Sequence, residues 1–413
     1  MSSIPAHVDW IRGQHDEMCR LVTVWSGLNS GTLNVGGLRE LASRVGERFA
    51  ALGGEVALDD VPPNEIVDDR GNRAAEPLGR IVRVRKRPEA PIQVLLVAHL
   101  DTVFGADDAF QRVTVVDEHT LRGPGVADCK GGIAVMLTAL EAFERFDRAG
   151  EVGWEVVLNP DEEIGSPGSR GMLVERARRF DVGLVFEPAL PSGALVKARK
   201  GSGNFSLVVR GRTAHAGRDF DAGRNAIHAL ASAVEILGRL SGTRPGLTVN
   251  VGQIVGGTAV NVVPDVAVAR FNVRVVEPAD QAFVEARLRD LVASLESKEG
   301  IRPELFGAFG APPKPFAGPS AELLGHILDC GNDLGLDLAT ETSGGVCDGN
   351  RLAAAGLATV DSLGPRGIGI HTDREVVHLD TLTERARVTA LLLTRLATRE
   401  IAWPTRDRPA ARS

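Results

Sequence analysis

The stretch that decides the fold is IQVLLVAHLDTVF at residues 92–104 followed, after an insertion, by LRGPGVADCKGG at residues 121–132. Val94 to Ala98 form a continuous apolar run, which predicts a strand buried on both faces of a sheet. His99 and Asp101 follow at its carboxyl end, and side chains two apart on a strand point the same way. Because ligands of open α/β sheets bind outside the carboxyl ends of the strands, this pair marks a candidate site.

A His-x-Asp pair alone is common at strand ends, so its meaning depends on further polar side chains at equivalent places. Such side chains recur along the chain, each just after a predicted strand or a Gly-rich turn. They are Asp128 after Gly-Pro-Gly, Asp161-Glu162-Glu163 after the strand 153–159, Glu187 after the strand 182–186, and His371 after Gly-Ile-Gly-Ile. Histidine and carboxylate side chains are ligands of catalytic zinc. An isolated acidic triplet predicts only a solvated turn, whereas this triplet follows a buried strand and belongs to the set.

In residue type, order and intervening turns, the set resembles the co-catalytic zinc metallopeptidase family of the aminoacylases, succinyl-diaminopimelate desuccinylase and bacterial glutamate carboxypeptidase. The resemblance extends from about residue 20 to about residue 400. The sequence GPGVADCKGG, together with Glu-Glu and Phe-Glu-Pro, favours the glutamate carboxypeptidase branch. The resemblance implies a metal-dependent amidohydrolase or metallo-carboxypeptidase with two zinc ions per subunit, and with cobalt or manganese as alternative metals.

The resemblance also implies which residues bind the two metals. His99, Asp128 and Glu187 match the ligands of one zinc, whereas Asp128, Glu163 and His371 match the ligands of the other. Asp128 would therefore bridge the two ions. A cis peptide bond between Asp128 and the following cysteine is a further expectation from the family.

Three catalytic roles follow from the same resemblance. Glu162 would be the general base toward a water that bridges the metals, and Asp101 would accept the second N–H of the metal-binding His99. His215, in RTAHAG, matches a histidine that reaches the active site of the partner subunit and stabilises the tetrahedral oxyanion. The alternative for His215 is a loop histidine that caps a helix.

Substrate-binding positions match the family less completely. Asn261 in GGTAVNVVP and Arg274 in FNVRV match positions that contact the scissile carbonyl and the carboxylate of the substrate, and an arginine fork suits a carboxylate. The turn Gly344-Gly345 matches one whose backbone N–H groups face the substrate. Two departures leave a glutamate preference open: Val346-Cys347 replaces a small hydroxyl residue, and Pro312-Pro313-Lys314-Pro315 lacks an arginine that precedes the proline in glutamate-specific relatives.

The order of predicted elements indicates an α/β fold with a mixed-sheet catalytic domain and an inserted lid. Strands and helices alternate up to residue 198, and the order β-α-β-β-α-β that follows is that of a ferredoxin-like lid and dimerisation domain. The predicted boundaries are 1–198 and 313–403 for the two parts of the catalytic domain, 199–312 for the lid, and 404–413 for a disordered tail. The run Arg80 to Arg87, RIVRVRKR, predicts the solvated face of an edge strand.

Composition excludes several classes of protein. With 413 residues and 43% hydrophobic residues, the chain is long and apolar enough for two cores, and its net charge of −7 argues against binding nucleic acid. No apolar run approaches the roughly 18 residues of a membrane span, so no membrane association is expected. The four cysteines have no C-x-x-C spacing and no secretory signal is visible, which favours reduced thiols in a cytoplasmic protein.

These observations predict a homodimeric zinc hydrolase that cleaves the amide bond of an N-acyl or peptidyl amino acid with a free carboxylate, in the manner of a glutamate carboxypeptidase. An N-acyl-amino-acid deacylase or aminoacylase is the alternative within the class. An aminopeptidase, or a catalytically silent dimeric protein that binds a small molecule, are alternatives outside it. The sequence leaves open the acyl group, the preferred amino acid, the metal used in the cell and the resting position of the lid.

Overall fold

The computed structural model describes residues 4–406. Residues 407–413, most of the tail predicted to be disordered, lie outside the described residues. The chain begins with two helical segments: α1 (Ala6–Asp9), which continues through a 3-10 turn (Trp10–Gln14) into α2 (His15–Ser26), and then α3 (Val35–Ala50). Leu38, Leu41 and Val45 recur at helical spacing along α3 and are buried. The N-terminal segment is therefore helical and buries one face.

The remaining elements alternate in type along most of the chain. The first part contains β1 (Glu55–Asp59), β2 (Asn64–Val67), β3 (Arg73–Glu76), β4 (Ile81–Lys86), β5 (Ile92–His99), β6 (Thr114–Asp117), β7 (Thr120–Arg122), α4 (Lys130–Phe143), β8 (Val152–Asn159), α5 (Arg170–Ala177), β9 (Val182–Val185) and β10 (Leu195–Arg199). The middle contains β11 (Gly201–Arg210), β12 (Ala214–His215), α6 (Ala226–Leu240), β13 (Thr248–Gly256), β14 (Val262–Val263), β15 (Val266–Val275), α7 (Pro278–Glu296) and β16 (Arg302–Ala311). The last part contains α8 (Gly318–Asp333), β17 (Thr340–Ser343), α9 (Asp348–Ala354), β18 (Ala358–Val360), β19 (Gly367–Ile368), β20 (Val376–His378) and α10 (Asp380–Thr398).

The central sheet is mixed and has the strand order β1-β4-β8-β5-β9-β18. Strands β8, β5, β9 and β18 run parallel, whereas β1 and β4 are antiparallel to their neighbours. All eight residues of β5 are buried. Val94 and Leu96 pack with the helices of one face, whereas Leu95 and Val97 pack against α5 and α9 on the other. The apolar run is thus a strand covered on both faces, as predicted.

The prediction that the arginine-rich run forms an edge strand is wrong. The run is β4, which lies between β1 and β8, and β1 is the edge. Its arginines are held by acidic groups of the neighbouring strands: Arg83 donates to Asp59 at 2.7 Å, and Arg85 lies 3.5 Å from the fully buried carboxylate of Glu155. Alternation of charge along a strand identifies its solvated face but does not say how many strands flank it.

A second, four-stranded sheet has the order β13-β15-β11-β16, and all its neighbours are antiparallel. Helices α6 and α7 pack on one face around Leu230, Leu288 and Phe271. This is the predicted split βαβ arrangement, while its boundaries at 199 and 312 and its role as a lid stay predictions. In the described part of the chain, no helix is long and apolar enough to cross a membrane.

The hairpin β2–β3 covers part of the other face of this sheet and was not predicted. Arg270 of β15 donates to the carbonyl of Val67 at 2.6 Å and pairs with Asp69 at 2.8 Å. Val67 packs against Val208 and Val268. The hairpin therefore ties the first part of the chain to the four-stranded sheet.

The two connections to the four-stranded sheet lie side by side and share one carboxylate. The backbones of Arg199 and Lys314 exchange two hydrogen bonds, at 2.9 and 3.0 Å. The Arg199 guanidinium and the Lys314 ammonium both bind Asp361, at 2.8 and 2.7 Å, and Lys314 and Asp361 are buried. Asn350 donates to a carbonyl of each connection. Lys314, one of the family departures in the linker, is thus an ion-pair partner in this junction.

We predict that Asp361→Asn destabilises the protein by about 3–5 kcal/mol, because it leaves two buried cations without their counterion. Urea unfolding measures the change in the free energy of unfolding. Glu40→Gln is the matched control, since Glu40 pairs with Arg44 at 2.7 Å with both side chains about half exposed, and its loss should cost less than about 1 kcal/mol. Equal effects of the two substitutions would show that Asp361 does not hold the two connections together.

Candidate active site

Three parallel strands deliver the candidate site residues to one edge of the central sheet. His99 ends β5, the 3-10 turn Glu162–Ile164 follows β8, and Glu187 follows β9. Parallel strands present their carboxyl ends at the same edge, which is why residues far apart in sequence meet here. Asp128 comes from the loop before α4, and its peptide bond to the following cysteine is cis, as the family resemblance implied.

The two glycines after Lys130 let this loop approach the end of β9. A Cβ on Gly132 would lie 1.8 Å from the carbonyl oxygen of Phe186, and one on Gly131 would lie 2.5 Å from the carbonyl oxygen of Val126. Any side chain at these positions would push α4 away from the strand ends. The KGG sequence therefore sets how closely Asp128 can approach the residues after β9.

The side chains predicted to bind metal are brought together around Asp128. Its two carboxylate oxygens lie 2.9 Å from His99 Nε2 and 3.3 Å from His371 Nε2. His371 Nε2 is also 3.0 Å from Glu163, and His99 Nε2 is 3.8 Å from Glu187. Asp128 is thus the only one of the five that contacts both histidines through different oxygens, which is the geometry of a bridging ligand.

Burial and charge shift the pKa values of this cluster strongly. Burial raises the pKa of Glu187 to about 8 and raises that of Glu162 well above its usual range. Hydrogen bonds to Asp128 and Glu163 raise the pKa of His371 to about 11. For Asp128, hydrogen bonds from the two histidines outweigh burial and hold its pKa below the usual range. Several carboxyl groups compete here for few compensating charges.

This donor set fits divalent cations. One ligand atom from each of His99, Asp128 and Glu163 lies within 4.8 Å of the others, and the same holds for His99, Glu162 and Glu187. Nitrogen and carboxylate oxygen donors around a shared aspartate are the ligands that two-metal hydrolases use. Positive charge at this place would also stabilise the ionised form of the buried carboxyl groups.

Asp101 holds the turn that carries the two glutamates. Its carboxylate accepts the backbone N–H groups of Glu162 at 3.0 Å and Glu163 at 3.1 Å, and the hydroxyl of Thr32 at 2.8 Å. The Nδ1 atom of His99 lies 3.0 Å from the Asp101 carbonyl oxygen and 3.4 Å from its carboxylate. The nearer acceptor for His99 is therefore the backbone oxygen, whereas the expectation was the carboxylate. Both groups of Asp101 orient their neighbours.

Glu375 is a site residue that the sequence analysis missed. Its buried carboxylate accepts the backbone N–H groups of Gly125, Ala127 and Asp128 at 3.0–3.1 Å, and so fixes the loop that presents Asp128. Burial raises its pKa to about 7. Glu375 lies four residues after His371, but nothing in the sequence shows that it folds back on a loop 250 residues earlier.

The predicted substrate residues fall into two groups. Arg274 Nη1 lies 3.4 Å from the carbonyl oxygen of Gly344, and Arg199 Nη1 lies 3.4 Å from that of Gly345, so the Gly-Gly turn faces two arginines. His215 and Asn261 lie together elsewhere: both are exposed, and strands β12 and β14 pair next to them. The Asn261 carbonyl accepts the N–H of the residue after His215 at 2.9 Å. Within residues 4–406, neither residue hydrogen-bonds to the predicted metal ligands.

Comparison with known proteins decides the family. The sequence model of peptidase family M20/M25/M40 matches residues 95–395. The chain is a member of this family. It is 28% identical to carboxypeptidase G2 of Pseudomonas sp. (strain RS-16) over 310 residues, which cover 73% of each chain. It is 32% identical to a succinyl-diaminopimelate desuccinylase of Pseudomonas fluorescens over 319 residues, 72% of this chain and 81% of the relative.

Solved structures agree on the fold of this M20 member. An M20 family metallo-carboxypeptidase from Sulfolobus solfataricus matches 93% of this chain and 100% of its own with a TM-score of 0.72, at 16% sequence identity. Family members are metal-dependent hydrolases, typically with two metal ions, so this protein is a metal-dependent hydrolase too.

We predict that the zinc-loaded, dialysed protein retains about two divalent ions per chain, as a two-metal site requires. Asp128→Asn should lower the retained metal more than His371→Ala does, because the aspartate contacts both histidines, whereas His371 is expected to bind one ion. Elemental analysis of each variant gives the ratio. Asp117→Asn, an exposed aspartate in the β6–β7 hairpin, is the control and should retain the wild-type amount. Unchanged binding in Asp128→Asn would rule out the bridge.

Proposed function

We propose that this M20 member cleaves the amide bond of an N-acyl or peptidyl amino acid with a free carboxylate, as a carboxypeptidase does. The observation that carries the proposal is Arg274. It is partly buried, has no ion-pair partner within residues 4–406, and lies beside the Gly344-Gly345 turn. A guanidinium in such a place is matched by a carboxylate brought by the substrate. The similarity to carboxypeptidase G2 supports this choice.

The metal ligands in this proposal are five side chains that bind two zinc ions. His99, Asp128 and Glu187 would hold one, and Asp128, Glu163 and His371 would hold the other. When bound, zinc lowers the pKa of a water molecule and polarises the scissile carbonyl group. Cobalt or manganese also accepts carboxylate and imidazole ligands and is the alternative metal.

Glu162 acts as the general base. It follows β8 directly, its carboxylate lies within 4.8 Å of donor atoms of His99 and Glu187, and its backbone is fixed by Asp101. From this place it takes a proton from the attacking water and gives it to the departing amine. The neighbouring Glu163 faces His371 instead, so adjacent glutamates serve different roles.

His215 and Asn261 act from the partner subunit of a homodimer formed through the four-stranded sheet. Both side chains are exposed and make no hydrogen bond to the predicted metal ligands of their own chain. They are therefore available to the active site of a partner subunit. There the imidazole donates to the oxyanion that forms on the substrate carbonyl, and the asparagine contacts the same carbonyl group.

A second candidate is an N-acyl-amino-acid deacylase. The similarity to succinyl-diaminopimelate desuccinylases, at up to 32% identity, favours it. The two reactions break the same kind of bond and release the same kind of amino acid, and they differ in the acyl group. An aminopeptidase would need an acidic residue for the substrate's free amine, where Arg274 presents a cation instead.

We expect zinc-loaded enzyme to hydrolyse N-acyl amino acids or dipeptides with a free carboxylate, and to lose turnover when that carboxylate is blocked. A panel that pairs N-blocked with C-blocked dipeptides and acyl amino acids measures this. Glu162→Gln should lower kcat by at least about 100-fold, the usual contribution of a general base, while metal content stays unchanged. Preference for C-blocked substrates with a free amine would replace the proposal with an aminopeptidase, and an active Glu162→Gln would refute the assigned base.

We expect two inactive variants to restore activity when mixed and allowed to exchange subunits. In a heterodimer of Glu162→Gln and His215→Ala, one site combines an intact Glu162 with the intact His215 of the other chain. Activity therefore returns only if His215 acts across the dimer. Each variant carried through the same exchange alone is the control. No recovery, despite heterodimers shown by mass spectrometry, would place His215 within its own subunit's site or outside the reaction.

A further inference from the structure

Arg274 is held through one edge of its guanidinium. Its Nε–H donates to Asn272 Oδ1 at 2.9 Å, and Nη1 makes a long contact of 3.4 Å with the carbonyl of Gly344. The two residues are two apart on β15 and therefore share a face of the sheet. Burial lowers the pKa of Arg274, the direction expected of a cation without a counterion. The outer edge of the guanidinium is left to bind an anion.

The neighbours of Asn272 determine which way its amide points. Its Nδ2 group donates to Ser202 Oγ at 2.9 Å, to the carbonyl of Gly203 at 3.2 Å and to Asn204 Oδ1 at 2.7 Å. A flipped amide would set its oxygen against these acceptors and its N–H groups against the Nε–H of Arg274. The amide is thus fixed with its oxygen toward the arginine.

Backbone pairing of the two strands continues on both sides of Asn272. The backbones of β11 and β15 pair continuously from Gly201↔Val275 to Arg210↔Val266, and Asn272 lies inside that ladder. The alternation of residues places Phe271 and Val273 in the apolar core, on the opposite side from Asn272. The side chain of Asn272 therefore lies on the face of the sheet that also carries Arg274.

We propose that Asn272 is a positioning residue for recognition of the substrate's carboxylate. Its oxygen fixes the Nε edge of Arg274, so the two Nη groups are already oriented when the carboxylate arrives. A free arginine side chain has many rotamers, and holding it in one reduces the entropy lost on binding. The proposal rests on the proposed function, since it takes Arg274 as the carboxylate receptor.

The test is a double-mutant cycle on the zinc-loaded enzyme, with a substrate that has a free carboxylate. Asn272→Ala should raise KM about tenfold, the effect of losing one hydrogen bond to a charged group, and should change kcat by less than about twofold. In an Arg274→Ala background the same substitution should leave KM unchanged, because the group that it positions is absent. Misfolding would lower the amount of active enzyme. It would therefore lower the apparent kcat and leave KM unchanged, which is the opposite of the expected result.

Asn250→Ala is the matched control. Asn250 pairs directly with Asn272 across β13 and β15, so it carries the same amide on the same face, and it has no hydrogen bond to Arg274. Its KM should equal that of the wild type. Asn272→Ala with an unchanged KM, or with an equal rise in KM in both backgrounds, would overturn the positioning role. If Arg274→Ala itself leaves KM unchanged, the carboxylate recognition in the proposed function fails instead.

Discussion

The crowding of carboxylates around Asp128 is the constraint on which the site depends. Glu163 lies beside Asp128, and Glu162 and Glu187 lie beside His99, so three glutamates from two strand ends share one small volume. The side chains of Glu163 and Glu187 are almost fully buried. Isolated buried anions are unstable in such surroundings, so the cluster needs cations to be fully ionised. Metal ions bound here therefore stabilise the folded chain as well as serving the reaction, because the unfolded chain has no such site.

The surroundings of the cluster are built to hold it against this repulsion. Asp101 binds the backbone of the two glutamates after β8, and Glu375 binds the backbone of the Asp128 loop, in each case through N–H groups. These contacts fix main-chain positions and leave the side chains free to bind metal or move a proton. Asp101 and Glu375 are themselves acidic. They fix the geometry of the site, but they also increase the electrostatic repulsion within it.

The four-stranded sheet depends on a different buried charge. Both of its connections to the central sheet pass Asp361, which binds a cation from each. A rotation of the four-stranded sheet relative to the central sheet would strain these ion pairs and the contacts of Arg270 with Val67 and Asp69. The same sheet carries Arg274, which contacts the carbonyl of Gly344 outside that sheet. If the four-stranded sheet moved as a lid, Arg274 would move with it relative to the residues at the carboxyl ends of β5, β8 and β9.

The sequence by itself predicted most of the elements and the candidate metal ligands. Apolar runs and helical patterns are local, and they located β5, β8, β9 and the two helices that pack on the four-stranded sheet. The five candidate ligands could be proposed because each follows a strand or turn in the order of the family. Only the tertiary structure decided what depends on contacts between distant segments. These features are the ion pairs of Asp361, the hydrogen bonds of Glu375 to the Asp128 loop, the hydrogen bonds of Asn272, and the interior position of β4 in its sheet. A carboxylate pattern in sequence does not reveal its partners, because those partners are set by packing and not by spacing.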